Sequence, residues 1–550
     1  MKGARPVAAA RGTELRCLGW RQEGLLRMLE NVLEVGERPD DLVVYASLAK
    51  AARDWNAFDA IVAALKRLRD DQTLVIQSGK PIGVFATQPL APVVVMANGN
   101  VVGHYATAEN FYSLAERGLT MWGGLTAGDW QYIGSQGVLQ GIYEVLSAVA
   151  REHFGGSLAG RLVVTAGLGG MGSAQPVAIR MLGAVGLVVE VDAAKLERSK
   201  RRGDLDATYD DLDQALSAVD EARARTRSVT VGLLGNAADV FAELAARGLT
   251  PDVVTDLTAA HDALYGYVPQ GLEVDAWVAL RALDPKEVMA MARQSMAAEV
   301  RAMLQFKARG AVVFENGNNL RVQAAEAGVR DAFAIEGFAE RYIRPLFCRG
   351  IGPFRWVALS GDVSDLARLD QLACDLFLER PEVRTWIELA RAHVAVQGLP
   401  ARSCWLGHGE RSRFAIAVNS LVASGELSAP VLFTRDHFDS AGMTHPHIGT
   451  ERMADGSEAI SDWPLLDALL LCSTGADLVA IHAGGGGYSG YMQSAGVTIV
   501  ADGSEAAATR LGHGLDADTG LGVLRYVDAG YELAAAAARR AGLGLGGTHS

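Results

Sequence analysis

The sequence predicts an α/β protein in which a parallel-sheet domain is inserted into a mixed α/β core. Two observations carry this. Between residues 145 and 330, β-rich runs at 161–166, 186–191, 229–234 and 253–256 alternate with helical text, the pattern of a parallel sheet covered by helices. On either side the chain mixes helical periodicity with short strand-like runs, and no linker-like segment marks the joins. The expected organisation is therefore a core built from 1–144 and 346–550, with 145–345 as the insert.

The elements follow from local pattern. Residues 24–35 and 58–69 repeat apolar positions at helical spacing. Residues 42–45, 74–77 and 93–96 are short apolar runs bounded by turn residues and read as strands. The Gly-rich end from Gly542 reads as a frayed tail.

Bulk properties narrow the function. At 550 residues and 49% hydrophobic, the chain is long and apolar enough for two or three cores. A net charge of -13 argues against a nucleic-acid partner, which would need clustered Lys and Arg. The basic run Lys200-Arg201-Arg202 sits among acids and reads as a solvated face. Five cysteines without CxxC spacing predict no disulfide framework and no metal site, and they fit a reducing compartment. The first residues carry no signal-peptide-like apolar stretch, and the run at 465–472 is far below the roughly 20 residues of a membrane span. These features read as a cytoplasmic protein with no membrane partner.

The run 161–166 leads into Gly167-Leu-Gly169-Gly170-Met171-Gly172 and then helical text. This is G-x-G-x-x-G between strand and helix, where glycines permit the tight turn and let backbone N–H groups approach a pyrophosphate. The next apolar run ends at Glu190, where an acid usually holds a ribose hydroxyl, with Asp192 as the alternative. An acid there favours NAD over NADP. The domain is therefore expected to be Rossmann-like and NAD-binding.

Motifs spread along the whole chain extend this reading. They include Thr126-Ala-Gly128, Tyr132-Ile-Gly-Ser135-Gln136-Gly137, Gly167 to Pro176, Asn318-Asn319 and Tyr342 to Trp356. Further on come Val396-Gln-Gly398-Leu-Pro400-Ala-Arg402-Ser-Cys404-Trp405, Arg435-Asp-His-Phe-Asp-Ser440, Ser461-Asp-Trp-Pro-Leu465 and Asp528-Ala-Gly-Tyr531. Together they resemble the urocanase (urocanate hydratase) family. The resemblance implies a homodimeric hydro-lyase in which NAD⁺ is an electrophile rather than a hydride carrier. The substrate's imidazole ring forms a covalent adduct with the nicotinamide, and water adds across the ring and acrylate system.

The same resemblance, weighed with residue chemistry, nominates the site. Cys404 is placed against the nicotinamide, with a buried small hydrophobe as its bland reading. Arg355, flanked by Phe354 and Trp356, is suited to clamping the substrate carboxylate, helped by Thr126. Tyr45 and either Asp436 or Asp439 are the candidates for proton transfer, with turn capping as the bland reading of the aspartates and His437 between them. Gly484 to Gly487, Gly486 above all, would let backbone pass close to the cofactor. The remaining cofactor positions implied are Ala46, Ser47, Gly124, Gly170, Met171, Gly172, Glu190, Lys195, Asn236, Ala237, Leu257, Thr258, Ala259, Ala260, His261, Tyr267, Val268 and Asn316.

Several of these depart from the family pattern. Ala46-Ser47 stand where two glycines are usual, Gly124 and Leu257 where glutamines are, Asn316 for a tyrosine, and Lys195 for an arginine. His482-Ala483 replaces paired histidines, and the glycine run continues into Tyr488-Ser489-Gly490-Tyr491-Met492. Loss of glutamines removes hydrogen-bonding groups around the ligand, while Tyr488 and Met492 add polarisable surface for the substrate. These changes point to a ring-modified urocanate, thiourocanate or S-methyl-thiourocanate, with ordinary urocanate as the alternative. An NAD-dependent dehydrogenase would explain only the glycine loop, and a non-catalytic NAD-binding protein would leave the cysteine, arginine and aspartates without a purpose.

Overall fold

A computed structural model describes residues 5–483 and 490–544. Its contacts divide the chain into two units, Met1–Gly137 with Arg344–Ser550, and Val138–Ile343. The first division falls inside the helix Gln136–His153, upstream of the expected boundary at 144. The tail expected to fray beyond Gly542 lies outside the described residues from 545 onward.

The inserted unit is built on a seven-stranded sheet. In spatial order its strands are Glu336–Gly337, Val312–Glu315, Val253–Val254, Leu162–Ala166, Val185–Glu190, Val229–Leu234 and Ala207–Tyr209. Every pairing is parallel. Leu162–Ala166 and Val185–Glu190 are buried at every position, which is why they read as continuous apolar runs rather than alternating ones. Helices start where a side chain can accept the first free amides. Asp192 accepts from Ala194 N at 2.9 Å, Asp211 from Gln214 N at 2.9 Å and Asn236 from Ala238 N at 3.0 Å.

The core unit contains a nine-stranded mixed sheet. Its strands run Ala401–Ser403, Phe354–Ala358, Val431–Arg435, Gln493–Ala501, Leu478–Ala483, Val94–Asn98, Gln72–Gln77 and Lys80–Ala86, with Met443–Thr444 also on Gln493–Ala501. Leu478–Ala483 pairs parallel to Val94–Asn98 and antiparallel to Gln493–Ala501. This mixture brings the ends of distant strands to one edge: Ser403, Phe354, Arg435, Gln493, Ala483 and Asn98. Behind that edge lies a buried ion network. Arg435 bonds Asp467 and Asp518 at 2.5 Å each, and Arg411 bonds Asp439 at 2.7 Å and Asp518 at 3.3 Å, all of them fully buried. Among the described residues no helix is long and apolar enough to cross a membrane.

Candidate active site

The polar centre of the core unit forms along that sheet edge. In the antiparallel register Phe354 faces Arg435 and Arg355 faces both Thr434 and Ser403, so the turn after Arg435 delivers Asp436 to Arg355. Arg355 is 3% exposed and ion-pairs with Asp436 through Nη2. Its Nε and Nη1 are buried without a hydrogen-bond partner. A buried guanidinium with two donors to spare is costly unless an oxygen anion completes it, which is what a carboxylate clamp requires. Gly137 leaves the room: a Cβ there would lie 2.6 Å from Nη2 of Arg355.

Tyr45 ends the strand Val43–Tyr45 and stacks on Tyr132, with ring centroids 4.9 Å apart. Its hydroxyl oxygen accepts from Leu125 N at 2.9 Å and Thr126 N at 3.1 Å, and Thr126 Oγ1 lies 3.2 Å away. Burial pushes its pKa up to about 12, so the phenol keeps its proton and is a donor rather than a base. Thr126, expected beside Arg355, is thus tied directly to Tyr45.

The turn after Tyr45 explains part of the divergence seen in the sequence. Ala46 and Ser47 both adopt left-handed backbone, with φ of 50° and 69°, the conformation that glycine adopts freely. Gly124 has φ 64°, and a Cβ on it would meet Ala49 Cβ at 2.9 Å and Tyr45 Oη at 3.2 Å. A glutamine at 124 would therefore be both strained and crowded.

The two aspartates that the sequence left open separate here. Asp436 accepts from Phe438 N at 3.0 Å and pairs with Arg355. Asp439 is committed to Arg411 at 2.7 Å and to Ser440 N at 2.7 Å, inside the ion network. Cys404 follows the strand Ala401–Ser403, is 1% exposed, and donates its backbone N–H to Phe354 O at 2.8 Å. Met492 lines a cavity of about 290 Å³ with Tyr491, Gln493, Thr444, Pro446 and Ala483. Tyr488, Gly486 and the rest of the 484–489 run lie outside the described residues.

Sequence reasoning missed Asp129. It lies on the same 123–133 segment as Thr126, and its Oδ2 is 2.5 Å from His437 Nε2. His437 Nδ1 reaches Ser494 Oγ at 2.8 Å, and its ring lies tilted by 33° against that of His482, with centroids 4.5 Å apart. His482 in turn donates from Nδ1 to Gly124 O at 2.8 Å and meets Asn98 Nδ2 at 2.9 Å. The donor atoms of Asp129, His437 and His482 lie within 4.8 Å of one another, and each ring nitrogen of the two histidines has a hydrogen-bond partner. An acid in the apolar stretch from Met121 to Ile133 was the available signal.

In the inserted unit the glycine loop joins Leu162–Ala166 to the helix Gln175–Met181. Gly167 has φ 89°, and a Cβ on it would lie 2.5 Å from Leu257 O, whereas one on Gly169 would meet nothing within 4 Å. The loop is thus packed on one side and open at Gly169, and Gly170, Met171 and Gly172 complete it. Glu190 accepts from Leu168 N at 2.6 Å and Asp192 N at 2.9 Å, so its carboxylate braces the loop. Asp192 caps the helix that carries Lys195.

The other expected cofactor positions also follow the C-terminal ends of parallel strands, the edge at which such sheets bind nucleotides. Asn236, next to Ala237, donates to Val268 O at 3.0 Å. Leu257 N bonds Ala166 O at 3.0 Å, and Thr258 Oγ1 bonds Asp256 at 2.8 Å, starting a turn in which Ala260 and His261 are buried and Ala259 is half-buried. Tyr267 donates to Glu299 at 2.7 Å. Asn316, after Val312–Glu315, has a buried Nδ2 without a partner.

Comparison with known proteins agrees in extent with this division. The chain matches the urocanase N-terminal domain over 7–131, the urocanase Rossmann-like domain over 134–342 and the urocanase C-terminal domain over 345–540. It is also 52% identical over 544 residues to the S-methyl thiourocanate hydratase of Variovorax sp. (strain JCM 16519 / RA8), covering 99% of this chain and 98% of that protein. A Rossmann-like unit set into an α/β core, family matches along nearly every residue and this identity lead to one conclusion: the chain belongs to the urocanase family.

Proposed function

We propose that the protein is a hydro-lyase that adds water to an imidazole acrylate, with S-methyl-thiourocanate as its substrate. The observation that carries this is the 52% identity, across 99% of the chain, to a hydratase of that name. The sequence departures at Gly124 and Leu257, which remove amide groups, favour the same ring-modified substrate over urocanate.

NAD⁺ is the proposed cofactor. The open face at Gly169, the backbone amides of Gly170 to Gly172 and the unpartnered Asn316 Nδ2 fit a dinucleotide at this sheet edge. When bound, NAD⁺ supplies an electrophilic nicotinamide that draws electrons from the substrate ring. The other residues of this unit named for it, from Glu190 and Lys195 to Val268, are proposed to shape its surroundings. A cytoplasmic homodimer is proposed on the family likeness.

The protein's own groups divide the remaining work. Arg355 receives the acrylate carboxylate on its two free donors and fixes the side chain's direction. Tyr45 donates a hydrogen bond, because its oxygen is already an acceptor for two amides. Asp436, held beside Arg355, is the proposed proton carrier, and Asp439 serves the ion network instead. Cys404 forms a buried wall, and Met492 offers polarisable surface to the methylthio group.

An ultraviolet assay of the purified protein with urocanate, thiourocanate and S-methyl-thiourocanate tests the proposal. Fast loss of the acrylate absorbance with the S-methyl compound, urocanate being spared, is expected. Urocanate as the fast substrate would assign the protein to ordinary histidine breakdown.

A further inference from the structure

Asp129 and His437 are both fully buried and share one short contact, 2.5 Å from Oδ2 to Nε2. The glycine at 496 makes that contact possible, since any Cβ there would collide with both atoms. The neighbours fix the proton count. His482 donates from Nδ1 to a carbonyl and accepts from Asn98, whose Oδ1 is taken by Gly79 N at 2.9 Å, so His482 is neutral. Ser494 Oγ donates to His482 O at 3.3 Å, so it accepts from His437 Nδ1. With the Nδ1 proton assigned, one further proton lies between Asp129 and His437.

The charged groups that act on the pair belong to the clamp or the network behind it: Asp436, Arg355 and Arg435 on His437, and Asp436 and Arg355 on Asp129. The neutral ring of His482 lies against His437, and Tyr45 senses both Asp129 and Asp436. We propose that Asp129 is a positioning residue which, through His437, holds a single shared proton and so keeps the surroundings of the Arg355 clamp free of a second negative charge. Loss of that proton leaves Asp129 anionic. The ring then moves its remaining proton from Nδ1 to Nε2, and Ser494 turns its hydroxyl from His482 O to Nδ1. The new carboxylate competes with the substrate for Arg355, so binding weakens as pH rises. Burial supports the sense of this, holding Asp129 at about 7 and His437 at about 3.

This inference rests on Arg355 as a carboxylate clamp. The test measures calorimetric binding of imidazolepropionate, which carries the carboxylate but no double bond to hydrate, between about pH 7.5 and 9.5. The wild type is expected to lose nearly a hundredfold in affinity, equivalent to about 2.7 kcal/mol, and Asp129→Asn no more than about twofold. The same alkaline fall in Asp129→Asn, or in the smaller uncharged Asp129→Ser, overturns the proposal. Should neither variant fold, proton uptake by the wild type on binding, read from enthalpies in buffers of different ionisation heat, decides. Uptake approaching one proton at the alkaline end is expected, and none overturns it. Because the probe is not turned over, an inactive wild type would sink the hydratase reading alone, and an active one with a flat binding profile would sink the shared proton alone.

Discussion

Arg355 donates from Nη2 to Asp436 while its Nε and Nη1 stay buried and unpartnered. Lysine would keep the charge and lose the planar fork. Arg355→Lys is expected to raise KM about hundredfold, equivalent to about 2.7 kcal/mol, with kcat less affected. Steady-state kinetics on S-methyl-thiourocanate would read the split, and an unchanged KM would remove Arg355 from the carboxylate.

Tyr45→Phe deletes the acceptor for two backbone amides, Leu125 and Thr126. Urea unfolding should show a loss of about 1–3 kcal/mol. Because burial holds the phenol at about 12, the wild-type rate profile should show no limb from tyrosine ionisation below about pH 11. A limb near pH 9 that vanishes in Tyr45→Phe would contradict that donor role.

Ala46 and Ser47 hold left-handed backbone that costs an L-residue about 1–2 kcal/mol, partly offset by the stiffer unfolded chain. Ala46→Gly and Ser47→Gly should each stabilise the protein by about 0.5 kcal/mol, visible as a higher urea midpoint at unchanged slope. Destabilisation by either would show that the methyl or hydroxyl packs more favourably than the strain costs.

In the inserted unit Asp256 and Glu299 are buried beside one another and Tyr267. Burial raises Asp256 to about 6, and burial with the charge of Asp256 raises Glu299 well above its usual range. Both folded values exceed the unfolded ones, so the native state binds more protons. The associated stability is complete below about pH 4 and is lost as pH rises through about 6 and beyond. Glu299→Gln, which still accepts from Tyr267, should flatten that decline and leave the variant about 2 kcal/mol more stable than wild type at about pH 8. Parallel pH profiles of urea unfolding would expose the idea as wrong.

What the sequence disclosed was local in origin. The loop from Gly167 to Gly172 and the acid at Glu190 follow from strand, turn and spacing, and the described backbone has the turn there. The second contact of Glu190, to Leu168 N, was hidden because the acid's partner depends on how the loop closes. Asp436 and Asp439 stand three residues apart on one turn, and their text is equivalent. Only the strand register, which aims one at Arg355 and the other at Arg411, distinguishes them. The partner of Asp129 was illegible for a plainer reason: His437 is 308 residues away, and no periodicity reports a contact of that span.

The sheet edge also governs how the protein must be made. Asn98 and His482 meet across 384 residues, and their strands lie side by side in the sheet. During synthesis the strand Val94–Asn98 emerges early and waits for most of the polypeptide to be translated before Leu478–Ala483 can cover its flank. Such distant pairing makes for slow folding and leaves an apolar strand exposed meanwhile. The nascent protein should therefore lean on chaperones until the ribosome has passed the strand Gln493–Ala501, and a premature stop near residue 470 should yield an aggregate rather than a half-built enzyme.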